Sequence, residues 1–107
     1  MNKTTQSNVS RKSDFPLDVL SGYFTYVLFS QKDRKFYVGF THDLKQRLKE
    51  HHSGNVDSTR ARRPLLLIHY EYFTNEDDAK AREIFLKSGF GRKQLRLSLR
   101  KTLDNLN

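Results

Sequence analysis

The sequence predicts a single α+β domain with the element order ββαβαα. Three observations carry the prediction. Blocks of aromatic and β-branched residues of strand length fall at 23–29, 36–40 and 65–73. Leucines recur at helical spacing in the stretches that follow the second and third blocks. The 107 residues suffice for one hydrophobic core and are too few for two.

The first stretch, MNKTTQSNVSRKSD, has almost nothing to bury, so residues 1–20 are expected to form a flexible basic arm. Within it, Asp14 to Leu20 (DFPLDVL) is suited to a loose contact with the folded part, which is placed at 21–104. YFTYVLF and FYVGF flank the polar turn SQKDRK and form a β-hairpin. THDLKQRLKEHHSG then reads as a helix of about three turns. Thr41 is its expected N-cap, Leu44 and Leu48 lie one turn apart, and Gly54 is its stop. The segment NVDSTRARRP is read as a loop, and LLLIHYEYF as the third strand. Thr74 or Asn75 caps a second helix whose first turn, Glu76, Asp77 and Asp78, suits the positive end of the helix dipole. After Ser88-Gly89, GRKQLRLSLRKTLDNLN sets Leu95, Leu99 and Leu103 on one side and cations mostly elsewhere, a single basic amphipathic helix.

Lys and Arg number 20 against 12 acids, a formal charge of +8. A polyanion is therefore the leading partner class, and nucleic acid the leading polyanion, with charge for solubility alone as the alternative. There is no cysteine, which excludes disulfides and thiolate metal sites and fits a reducing, cytoplasmic setting. Apolar runs are far shorter than the ~18 residues of a membrane span, and the N-terminal stretch has no signal-peptide core, so no membrane partner is expected.

Several residues stand out chemically. If the turn is Gln31 to Arg34, Tyr26 lies opposite Gly39 and Leu28 opposite Tyr37, and both tyrosines emerge on one face. A slip of one residue would separate them. Gly39 facing Tyr26 would leave a gap for a ligand or another backbone. Arg47 and His51 are one turn apart, flank the Leu44/Leu48 stripe and should reach the rim of the sheet. His52 points elsewhere, to solvent, and His42 and His69 read as structural. In the second helix Ala79, Glu83, Leu86 and Phe90 form a stripe with a carboxylate at its centre. A buried Glu83 would need a cationic or metal partner. Alternatively, Ile84 and Phe85 define the buried side and Glu83 is exposed.

Taken in order, Tyr26, Tyr37-Val38-Gly39, Arg47-x-x-x-His51 and a later helix with Arg82-Glu83 and Leu86-Lys87 resemble the GIY-YIG nuclease domain, above all its small stand-alone bacterial members. The resemblance runs from about Tyr23 to Lys93. It implies a three-stranded antiparallel β-sheet flanked by helices and an endonuclease that hydrolyses DNA phosphodiester bonds with one divalent metal, Mg2+ or Mn2+, and no small-molecule cofactor. By the same resemblance, Glu83 would hold the metal, Arg47 would bind the scissile phosphate, and Tyr26 would help activate water. Tyr37 and His51 would complete the pocket. A free phenol titrates near 10, so Tyr26 would need the metal and Arg47 to favour its ionised form. Arg60, Arg62, Arg63, Lys87, Arg92, Lys93, Arg96 and Arg100 would hold flanking phosphates. A monomer or weak homodimer is expected, with DNA repair among the fitting roles. The alternative is a non-catalytic nucleic-acid-binding protein using the same basic face.

The chain departs from the family pattern at three points. Phe24-Thr25-Tyr26 stands where the name has Gly-Ile-Tyr, and Val38 stands for isoleucine. A late asparagine near the phosphate is missing: Ser98 stands near the expected distance, while Asn105 and Asn107 are at the extreme end. A Lys or Arg of the last helix would then meet that phosphate oxygen.

Overall fold

The computed structural model describes residues 21–106; the expected arm at 1–20, and Asn107, lie outside the described residues. The hairpin is built as its composition predicts, from β1 (Tyr23–Ser30) and β2 (Phe36–Thr41). Its register pairs Tyr26 with Gly39 and Leu28 with Tyr37. Ser30 fixes that register: its N–H donates to Lys35 O at 3.0 Å, and its hydroxyl accepts from Lys32 N and Asp33 N. Arg34 closes the turn with a left-handed φ of 61°. Arg62 staples the turn from outside, with its guanidinium 2.5 Å from Asp33 Oδ2 and donating to the carbonyls of Lys35 and Phe36.

The third strand, β3 (Leu65–Phe73), pairs antiparallel with β1, giving the order β2-β1-β3 and a central strand in which only Tyr23 is not fully buried. Such burial requires cover on both faces, and the period-two alternation decides which residues meet which cover. Phe24, Tyr26, Leu28 and Ser30 point to one face; Thr25, Val27 and Phe29 point to the other.

On the Tyr26 face lies α1 (Leu44–Ser53). Its N-cap is Asp43, whose carboxylate accepts from Gln46 N, and not the expected Thr41. Thr41 ends β2, and its hydroxyl accepts from Asp43 N at 3.0 Å, holding the cap residue two positions further on. Gly54 ends the helix in the left-handed region, φ 83°, as its position predicted. The expected loop then contains one helical turn, α2 (Asp57–Arg60).

The opposite face carries α3 (Glu76–Lys87), capped by Asn75 through Asp77 N. The predicted single basic helix is two, α4 (Gly89–Ser98) and α5 (Arg100–Asn105), broken where Leu99 leaves helical geometry at ψ 18°. The leucine row continues across the break: Leu86 and Leu95 pack fully buried against Val27, Phe29, Phe36 and Val38, with Leu99, Leu103 and Leu106 partly buried beside them. Each of the two fully buried leucines contributes about 1.5–3 kcal/mol relative to exposure.

Candidate active site

The buried residue of α1 is a histidine, not one of its leucines. Leu44 and Leu48 are only half-buried and line a hollow of about 310 Å3 with Phe24 and Tyr70. His51, expected at the rim, is 1% exposed. A chain of hydrogen bonds explains the exchange. The Tyr26 hydroxyl and His51 Nε2 are 2.7 Å apart, His51 Nδ1 and Thr59 Oγ1 are 2.8 Å apart, and Thr59 donates to Val56 O at 3.5 Å. Burial, reinforced by the charge of Arg47, lowers the His51 pKa to about 4, so the imidazole is neutral at pH 7. A neutral ring has one N–H. With Thr59 directed at Val56, that N–H is Nδ1, and Nε2 accepts from Tyr26.

Tyr37 completes an aromatic triangle, its ring centroid 6.4 Å from Tyr26 and 5.1 Å from His51. The Tyr26 ring lies along β2 over Gly39, where a Cβ would stand 2.5 Å from the phenol oxygen. The gap expected opposite Tyr26 is thus filled by Tyr26 itself. Arg47 lies close enough to the phenol to favour its ionised form and donates to Glu50 Oε1 at 2.9 Å, and over a third of its side chain remains exposed.

Sequence reasoning gave Arg47 the task of lowering the Tyr26 pKa. Here burial wins: it pushes the phenol up to about 12 against the hydrogen bond from Arg47, with Tyr37 and Glu83 adding a little more. Glu83 itself lies on α3, on the other face of the sheet.

Of the two readings of α3, the one with Glu83 on the inward side is observed. Ala79 and Leu86 are buried and Ile84 is 71% exposed, while Phe90 has left the stripe and is also exposed. Glu83 is half-buried, and its expected cationic partner is Lys87, with Nζ 2.9 Å from Oε2. Among the described residues, no group of three or more His, Cys, Asp or Glu could hold a metal. A single carboxylate does suit magnesium, which takes one or two carboxylates and completes its shell with substrate phosphate and water.

The remaining candidates divide by position. Arg60 and Arg63 turn toward His52 and the C-terminal end of α1, whereas Arg62 is consumed by the hairpin turn. Arg96 sits over the Phe36 ring at 4.6 Å, and Arg92, Lys93, Arg96 and Arg100 lie on the helices of the opposite face. Ser98 lines a hollow with His69, Glu71 and Arg82, where Arg82 and His69 both bond Glu71. That is the β3 side, remote from Tyr37 on β2. Thr59 was missed by sequence reasoning; the cap-like run Asp57-Ser58-Thr59 was the available sign of a helical turn there.

The three-stranded antiparallel sheet with helices on both faces is an α+β domain whose family the comparisons show. Residues 22–96 match the family described as the GIY-YIG catalytic domain, and the chain belongs to that family, a nuclease superfamily. Similar proteins include a UPF0213 protein of Clostridium perfringens, 33% identical over 78% of this chain and 90% of that one. Another, YsiG of Lactococcus lactis, is 40% identical over 77% of this chain and 78% of that one. A solution NMR structure of a UPF0213 protein from Bacillus halodurans is 33% identical, covers 73% of this chain and 84% of that one, and has a TM-score of 0.47.

Proposed function

We propose that this protein is a divalent-metal-dependent endonuclease that hydrolyses DNA phosphodiester bonds at the centre formed by Tyr26, Tyr37, Arg47, His51 and Glu83. One observation carries the reading. The Tyr26 oxygen is held between a cation that can only donate, Arg47, and an acceptor that burial keeps neutral, His51 Nε2.

With a phenol near 12, Tyr26 does not act as a free phenolate at neutral pH. Its oxygen instead accepts the proton of the attacking water as its own proton moves toward His51 Nε2, 2.7 Å away. Thr59 holds the imidazole in the tautomer that makes this possible. Arg47 offers a planar fork to the scissile phosphate, and leaving Glu50 and Tyr26 for the phosphate uncovers the phenol. Tyr37, half-buried beside it, narrows the space left for the water. Glu83 would hold Mg2+ or Mn2+ once released from Lys87. When bound, such an ion supplies stabilisation of the charge that develops on the phosphate oxygens. Arg60, Arg63, Lys87 and the cations of α4 and α5 would neutralise flanking phosphates.

The Glu83–Lys87 pair and the enclosure of Tyr26 favour a second reading, a DNA-binding protein without catalysis. One experiment separates the two: purified protein with Mg2+ or Mn2+ on labelled single-stranded, duplex and branched DNA. Metal-dependent nicking that Glu83→Ala abolishes supports the endonuclease; binding without nicking supports the alternative.

A further inference from the structure

At the end of α1, on the same face as Tyr26, a hollow of about 400 Å3 is walled by Lys32, His52, Arg60 and Arg63 over a floor of Pro64 and Leu65. Its two arginines are held rigidly. Arg63 donates through Nε to Arg60 O and through Nη1 to His52 O, and its guanidinium lies flat on Gly54, where a Cβ would stand 2.8 Å from Cζ. Arg60 donates to Gly54 O at 2.8 Å and pairs with Asp57. Each guanidinium has five N–H groups, and only two of each are engaged among the described residues. Lys32 adds a third cation from the hairpin turn, and Asp57 is the one carboxylate paired here.

We infer that this hollow is a seat for one further phosphodiester of the DNA strand whose neighbouring phosphate lies at Arg47. The inference rests on the endonuclease reading for the strand's identity, but the seat itself rests on this geometry. Three cations, two of them bonded to backbone carbonyls, against one paired carboxylate select an anion. Guanidiniums already pinned to backbone carbonyls lose little rotamer freedom when they bind it. The planar fork with unused N–H groups matches phosphate oxygens, and the apolar floor suits a sugar. Arg47 and His52 are five residues apart on α1, about 7.5 Å along the helix. Arg62, which composition alone would group with its neighbours, is not part of the seat.

The test uses the whole chain without metal, binding a short single-stranded oligonucleotide at a series of salt concentrations. Arg63→Gln and Lys32→Gln should each reduce the slope of log affinity against log salt by about 0.7, and the Arg60 and Arg63 Nε resonances should shift when the oligonucleotide is added. Arg62→Gln should lower the melting temperature and keep the parent slope. If Arg63→Gln does not fold, Lys32→Gln, whose side chain is exposed, carries the same test. Parent slopes in both variants, or a parent chain that binds no oligonucleotide, would overturn the seat. Loss of slope in a chain that never cuts DNA would support the seat and defeat the endonuclease reading.

Discussion

At the scale of single residues, the site is a contest over one proton. Tyr26→Phe deletes only a hydroxyl, so the fold should survive with a loss of about 1 kcal/mol from the broken bond to His51. The cleavage rate at saturating DNA should fall by about 10²–10⁴-fold; an unchanged rate removes Tyr26 from the chemistry. Lys87→Met frees the Glu83 carboxylate from its ion pair. Titration with Mn2+, followed by electron paramagnetic resonance, should then show tighter binding than in the parent. Weaker or equal binding would show that Lys87 does not compete with the ion. His51 makes acid stability a third test. It takes up its proton near 6.5 when unfolded and near 4 in the fold, so between these values the unfolded chain binds more protons. The contribution of His51 to stability is complete above about pH 6.5 and is lost as pH falls toward 4, a change on the order of 3 kcal/mol. Urea unfolding of the parent and of His51→Gln across that window should show the dependence in the parent and its loss in the variant.

At the scale of elements, the row of leucines on α4 and α5 holds the second helical layer to the sheet. Leu95→Ala should cost about 2–5 kcal/mol in urea unfolding, because its site is enclosed by Val27, Phe29, Phe36 and Leu86. A loss below about 1 kcal/mol would mean that α4 is not anchored there. This row was legible in the sequence as spacing, as were the three strands and the turn of the hairpin, since period and polarity are local signals. The break at Leu99 was not legible. Every leucine fits one continuous helix, and no Gly or Pro marks the point at Leu99 where it divides. The burial of His51 was illegible for a related reason. Periodicity ranks Leu44 and Leu48 above a histidine, whereas the fold satisfies that histidine on both nitrogens and closes over it. Of the proposed site, Tyr26, Tyr37, Arg47, His51 and Glu83 were named through the family resemblance, since spacing alone left each of them open to a structural reading. Thr59 was missing because it lies eight residues from His51 in a separate turn, whereas Lys87, at i,i+4 from Glu83, was open to spacing and was read instead as a phosphate contact.

At the scale of the whole molecule, cations lie on both sides of the sheet, Arg60 and Arg63 on one and those of α4 and α5 on the other. Replacing Lys93, Arg96 and Arg100 together should flatten the salt dependence of DNA binding by up to ~0.9 per lost phosphate contact. An unchanged slope would show that DNA stays on the α1 side. Arg47 and His51 approach the phenol from the layer carried by α1, and Glu83 acts on it from the layer carried by α3. In the proposed endonuclease, neither half of the polypeptide supplies the centre by itself. Turnover should disappear at the same denaturant midpoint as near-ultraviolet circular dichroism, ahead of any loss of residual helix. For this chain, cutting DNA would be a direct gauge of intact tertiary structure.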